Sequence, residues 1–144
     1  MKRLILILFT ALIAFPVLSQ FGPGFVEQCA TNCGKNATYL KDFQVVLNAA
    51  QPEQVQPVAR YPLVLSKNNI YRFSVCTPAD SPGKAILQLY DSNKLIFSSY
   101  NKDTGEEFNP FNFLCQKTGI YHVFISFVDG KEGHAVGILS YVTK

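Results

Sequence analysis

The sequence predicts an all-β protein, an antiparallel β-sandwich, and three observations lead to that prediction. Short apolar runs with period-two alternation recur about every ten residues from position 61 onward, with no helical run between them. The longest run, 120–128, places every second side chain on one face: Tyr121, Val123, Ile125 and Phe127. The composition is rich in turn and strand residues, with 9 Gly, 8 Pro, 7 Tyr and 12 Phe. This spacing is typical of sandwiches, whereas parallel βαβ units need helices between their strands.

The first 19 residues have the pattern of a secretory signal peptide. Lys2 and Arg3 precede an apolar run, and small residues lead to a cleavage position near Ser19. A membrane anchor is the alternative, but the apolar run of about 15 residues is shorter than the roughly 20 that span a bilayer. We therefore expect a secreted, periplasmic or extracellular protein that keeps no stable membrane span after cleavage.

Charge gives no sign of a nucleic-acid partner. Cleavage would remove two of the 13 basic side chains and none of the 10 acidic ones, so the formal net charge falls from +3 to +1. The remaining Lys and Arg residues form no cluster, and the aromatic residues alternate with apolar rather than basic ones.

Four cysteines follow the leader, an even number that in an exported chain predicts two disulfides. The spacing favours Cys29–Cys33 with Cys76–Cys115, since the first two can meet in a turn and the last two end strand-like runs. Crossed pairings, which would tie the N-terminal segment to the sandwich, stay open. A metal or redox centre is the weaker interpretation of Cys29 and Cys33, because three residues separate them and no second close pair exists.

The chain after the leader divides into a short segment, 20–38, and a sandwich domain, 39–144. The first contains the two close cysteines and a predicted helix over 25–32, ended by Gly34. Residues 39–50 match both a helical stripe and a strand alternation. The adjacent Val45 and Val46 favour a strand, and the helix stays open as the alternative.

The later strand runs are joined by turn-forming residues. Asp91 to Lys94 predicts a hairpin between runs 85–90 and 95–100, and Asp129 to Gly133 predicts a second between runs 120–128 and 135–142. Thr118 and Gly119 are expected to bend the chain between runs 111–115 and 120–128, because glycine tolerates a positive φ.

Three short motifs stand in a recognisable order: a Tyr-x-Phe strand at Tyr71 to Phe73, a Leu-Tyr-Asp strand end at Leu89 to Asp91, and a Gly-x-Tyr strand at Gly119 to Tyr121. Over roughly residues 63–142 this order resembles the bacterial pre-peptidase C-terminal (PPC-like) domain family. The resemblance implies a jelly-roll-like β-sandwich, appended to exported enzymes and without catalytic residues of its own. The N-terminal segment and the four cysteines depart from that pattern.

Catalytic machinery is not recognisable in the sequence. No serine lies in a Gly-x-Ser-x-Gly context, no phosphate-binding glycine loop is present, and nothing indicates a cofactor. His122 and His134 are weak metal candidates, because a hairpin between their strands would bring them together. They define the alternative function, a small metal-dependent or hydrolytic activity.

A surface is the remaining candidate site. Aromatic residues near the long polar loop are candidates to stack on a sugar or to contact a protein: Tyr90, Tyr100, Phe108 and Phe111. The sequence therefore predicts a secreted, non-catalytic module that binds or supports another exported component, either a protein, a surface glycan or the cell envelope.

Overall fold

The computed structural model describes residues 21–143 and places eight strands in two packed antiparallel sheets. The predicted signal peptide, residues 1–19, lies outside the described residues. The elements in chain order are α1 (Phe25–Thr31), β1 (Ala37–Leu47), β2 (Ala59–Leu65), β3 (Ile70–Cys76), β4 (Ala85–Asp91), β5 (Lys94–Ser98), β6 (Phe111–Leu114), β7 (Gly119–Phe127) and β8 (Gly133–Val142).

The strand order is that of a jelly roll. Sheet 1 has the order β1-β8-β3-β6 and sheet 2 the order β2-β7-β4-β5, so nearly every connection crosses from one sheet to the other. Eight antiparallel strands arranged in two such sheets are characteristic of this architecture. The predicted all-β sandwich is confirmed, and so is the strand at 39–50, which forms most of β1.

One predicted hairpin is confirmed and the other is wrong. β4 and β5 pair directly through a short turn in which Ser92 adopts a positive φ. β7 and β8 instead lie in different sheets, because β2 and β4 already occupy both edges of β7. The connection passes through a 3₁₀ turn at Val128–Gly130 and carries the chain across the sandwich.

β7 is an interior strand of sheet 2, as its alternation predicts. Its inward side chains Tyr121, Val123 and Ile125 are almost wholly buried in the core between the sheets. The predicted bend at Gly119 takes another form, since this residue is the first of β7 and has no positive φ.

The N-terminal segment, residues 21–36, covers the outer face of sheet 1. Its helix α1 has nearly the predicted bounds. A second hydrophobic cluster forms beneath it, in which Val136 and Ile138 of β8 meet Cys29 and Cys33. The outer face of sheet 1 is thus covered over β8 and β3, whereas Val46 on β1 and Leu114 on β6 stay exposed. Within residues 21–143, no helix has the length and apolar character needed to cross a bilayer.

Candidate functional site

The two histidines lie on opposite outer faces of the sandwich. His122 points outward from β7 in sheet 2, opposite Pro62 and Tyr90 on the neighbouring strands. His134 lies at the start of β8 in sheet 1, where its Nε2 is 3.0 Å from Oδ1 of Asp80. Because stacked sheets are about 10 Å apart and the two rings point away from each other, they do not share a site.

Residues 21–143 offer no alternative to that pair, because within them no three His, Cys, Asp or Glu side chains are grouped so that they could hold a metal ion. The contact between His134 and Asp80 is instead part of a polar turn in which Ser81 Oγ accepts a hydrogen bond from the His134 backbone N–H at 3.0 Å.

The four predicted surface aromatics separate into three environments. Phe111 is buried in the core and stacks on Phe97, with ring centroids 3.9 Å apart. Tyr100 and Phe108 do come together, in a shallow groove of about 310 Å³ beside β5. Tyr90 lies on the outer face of sheet 2, directly opposite Leu95, which also lines this groove. Of the four residues, Phe111 is therefore the one that the core removes from the surface.

The outer face of sheet 2 carries apolar side chains that no other described element covers. One row of the sheet runs across all four strands through Pro62, His122, Tyr90 and Leu95. The next row toward one end pairs Val64 with Ile120. Val64 is 73% exposed, Ile120 61% and Leu95 44%, which are high values for large aliphatic residues on a strand.

We call this surface the outer apolar face and define it by seven residues: Pro62, Val64, Tyr90, Leu95, Ile120, His122 and Phe124. Its aromatic part is tightly organised. Phe124 stacks on Tyr90, with ring centroids 4.5 Å apart, and the Arg60 guanidinium carbon lies 5.1 Å from the centroid of Phe124. Since Arg60 and Tyr90 come from the strands on either side of β7, the Phe124 ring is flanked on both sides.

Sequence reasoning identified only Tyr90 and His122 within the outer apolar face. A signal for part of the rest was present in β7, where Ile120 and Phe124 place large apolar side chains at outward positions. Such a strand is usually buried on both sides. Here the outward surface of sheet 2 is exposed at Val64, Ile120 and Leu95, whereas Ile86 and Ser126 toward the other end of the sheet are buried.

A second groove, of about 820 Å³, runs between the N-terminal segment and β1. Its rim holds Tyr39, whose Oη donates a hydrogen bond of 2.5 Å to Oδ1 of Asp42. That bond raises the pKa of Tyr39 above its ordinary value, because it stabilises the protonated phenol. Gln44 Nε2 donates a hydrogen bond of 3.1 Å to the other carboxylate oxygen of Asp42, so these three polar groups of the rim bind one another.

The four cysteines are thiols in the structure, and the predicted Cys76–Cys115 pair is far apart. Cys115 follows β6 and exchanges backbone hydrogen bonds with Asn68 and Asn69, at the start of β3. Cys76 ends β3, seven residues further along. At about 3.3 Å per strand residue the separation is roughly 23 Å, against a limit of about 7 Å between disulfide-bonded Cα atoms.

Comparison with known proteins adds no family. No protein-family model matches the chain, and no curated protein matches it. The site must therefore be interpreted from its own geometry.

Proposed function

We propose that this chain is a secreted, non-catalytic β-sandwich module that binds another exported component, and that the component is a protein. The observation that carries the proposal is the outer apolar face of sheet 2. It combines strongly exposed Val64 and Ile120 with an ordered aromatic row. Exposed apolar patches with polar borders are typical of protein–protein interfaces.

A protein partner is favoured over a glycan by the packing of the Phe124 ring and by the aliphatic character of the most exposed residues. A sugar platform needs an open ring face on which the ligand can stack. Tyr90 and Arg60 flank Phe124, and the most exposed members of the face, Val64 and Ile120, are aliphatic. Branched aliphatic side chains gain most from burial against another apolar surface.

The alternative activity at His122 and His134 gains no support, because the two side chains point away from each other on opposite faces of the sandwich. The resemblance to the pre-peptidase C-terminal domain, although no family model supports it, is in line with a non-catalytic accessory role.

The proposal is tested by photo-cross-linking from the outer apolar face. A photoreactive amino acid replaces Ile120 and, in a control protein, Val46, which is 49% exposed but lies on β1 of sheet 1. After irradiation in the producing cells, we expect position 120 to cross-link to one exported protein and position 46 to give no such product.

The partner found in this way is then titrated against purified variants. Covering a side chain as exposed as Ile120 is worth about 1–2 kcal/mol, so Ile120→Ala should raise the dissociation constant about 5- to 30-fold. The matched variant Val46→Ala should leave the dissociation constant unchanged. Equal cross-linking from both positions would contradict the proposal. So would tight binding to oligosaccharides or to isolated cell envelope that Ile120→Ala does not weaken.

A further inference from the structure

The end of helix α1 contacts β3 through hydrogen bonds at Cys33. Cys33, just after the helix, places its Sγ 2.9 Å from Oγ of Ser74. On the same strand, Arg72 donates a hydrogen bond of 2.7 Å to the carbonyl oxygen of Cys33. These contacts set the position of the N-terminal segment along β3.

This position brings a second cysteine of the segment onto a cysteine of β3. Four helical residues rise about 6 Å, and two strand residues rise about 6.7 Å. With Cys33 over Ser74, Cys29 therefore lies over Cys76. Cys76 indeed packs against the cluster that contains Cys29, and the interaction between the two thiols raises the pKa of Cys29 and lowers that of Cys76.

We propose that Cys29 and Cys76 form a disulfide that fastens helix α1 to sheet 1, while Cys33 and Cys115 stay thiols. This bridge differs from both of those that the spacing favoured. It is one bridge of a crossed pairing, and the second bridge of that pairing, Cys33–Cys115, is not expected. It does not depend on what the outer apolar face binds, although an oxidising compartment is needed for the bond to form in the cell.

The two remaining cysteines have other partners. Cys33 is buried, with its Sγ on Ser74 Oγ and 3.4 Å from the carbonyl oxygen of Cys29. Cys115 lies at the far end of β3, where its Sγ donates to the carbonyl oxygen of Lys117 at 3.2 Å. Cys33 is thus held by Ser74 and by the Cys29 carbonyl oxygen, and Cys115 lies at the opposite end of β3 from Cys76.

The chemistry is thiol–disulfide exchange with an oxidised disulfide carrier, such as a disulfide oxidoreductase or oxidised glutathione. The hydrogen bond from Cys29 lowers the pKa of the Cys76 thiol, and Cys76 is also the more exposed of the two. Its thiolate attacks one sulfur of the carrier and expels the other as a thiolate. Cys29 then loses its proton and attacks the Cys76 sulfur, which expels the second carrier thiol. Two protein thiols are oxidised and one carrier disulfide is reduced.

The test uses the purified protein, first reduced and then equilibrated in a buffer of oxidised and reduced glutathione. Remaining thiols are blocked with N-ethylmaleimide in denaturant, and the chain is digested with trypsin without reduction. Trypsin leaves Cys29 and Cys33 in one peptide and Cys76 in the peptide 73–84. Tandem fragmentation between positions 29 and 33 then assigns the linked sulfur.

We expect one cross-linked product, Cys29 to Cys76, with maleimide on Cys33 and Cys115. A Cys29–Cys33 or Cys76–Cys115 linkage, or four blocked thiols, would overturn the proposal. Single variants separate pairing from folding: Cys76→Ser should free Cys29 for labelling, whereas the control Cys115→Ser should leave the Cys29–Cys76 product unchanged. If Cys76→Ser does not fold, the linkage map of the unsubstituted protein decides alone.

Discussion

Gly137 of β8 tests how tightly the two sheets interlock. A Cβ atom built at this glycine would lie 2.8 Å from Cδ1 of Ile125, which comes from β7 in the opposite sheet. It would also lie 3.3 Å from Cδ2 of Phe43 and 3.4 Å from Cδ1 of Leu87. Ile125 thus fills the space that a side chain at position 137 would need.

The size of the effect follows from these distances. Gly137→Ala gains about 0.4–1 kcal/mol from the less flexible unfolded chain, but an extra methyl in a packed core costs about 1–3 kcal/mol. We expect a net destabilisation of about 1–2 kcal/mol. Ile125→Val alone removes Cδ1 and should cost about 0.5–1.5 kcal/mol.

The double variant measures the contact between positions 137 and 125 directly. Because Ile125→Val removes the very atom that the new methyl meets, the Gly137→Ala/Ile125→Val protein should be more stable than the sum of the single effects predicts, by about 1 kcal/mol. Part of the destabilisation should remain in the double variant, because the new methyl group still lies close to Phe43 and Leu87. Such coupling energies are measurable between side chains in direct contact.

Urea unfolding of the four proteins measures the cycle. With a slope of about 1–3 kcal/mol per molar urea, a change of 1 kcal/mol moves the midpoint by about 0.3–1 M. Gly119→Ala is the matched control, since a Cβ there meets nothing within 4 Å and the residue has no positive φ. It should be neutral or slightly stabilising. Strict additivity in the cycle, or equal effects of the two glycine substitutions, would refute the proposed interlock.

Two further predictions concern the side-chain amide of Asn109 and the phenol of Tyr121. The Asn109 side chain acts as a strand partner for Val75, accepting from its N–H at 3.0 Å and donating to its carbonyl oxygen at 2.7 Å, so Asn109→Ala should lower the free energy of unfolding by about 1–2 kcal/mol. Urea titration checks this value, and an unchanged midpoint would show that solvent replaces both bonds. Burial, aided by a hydrogen bond with Cys115, raises the pKa of Tyr121 to about 12. The phenol ionises at about pH 10 in the unfolded chain, so its contribution to stability is complete below that pH and is lost as the pH rises toward 12. The stability difference between the unsubstituted protein and Tyr121→Phe should therefore shrink between pH 10 and 12, and a constant difference would contradict the raised pKa.

Local patterns were enough to predict the strands but not how they pair across the sandwich. Alternation of side chains has a period of two within a single strand, so β7 and its buried residues are visible in the sequence alone. The β4–β5 hairpin is also local, because a short turn fixes it. The Asp129–Gly133 segment shows an equally clear turn signal, yet β8 joins the other sheet since β2 and β4 leave β7 no free edge.

The cysteine pairing depends on contacts that are remote in sequence. Cys76 and Cys115 each adjoin a strand-like run, and that is all the spacing shows. Whether they meet depends on the register of β3 and β6, which brings Cys115 to the start of β3 rather than to its end. The partner of Cys76 comes from the docking of α1 on sheet 1, a packing event that no local pattern specifies.

The two sheets differ in what covers their outer faces, and this difference links the two proposals. Val136 and Ile138 point outward from sheet 1 and are fully buried, because the N-terminal segment lies over them. Val64 and Ile120 point outward from sheet 2 and are mostly exposed. Both sheets thus have outward apolar side chains, and the chain itself covers those of β8 in sheet 1. A partner protein on sheet 2 would supply the equivalent layer, and the Cys29–Cys76 bridge would keep α1 in place so that Val136 and Ile138 stay covered.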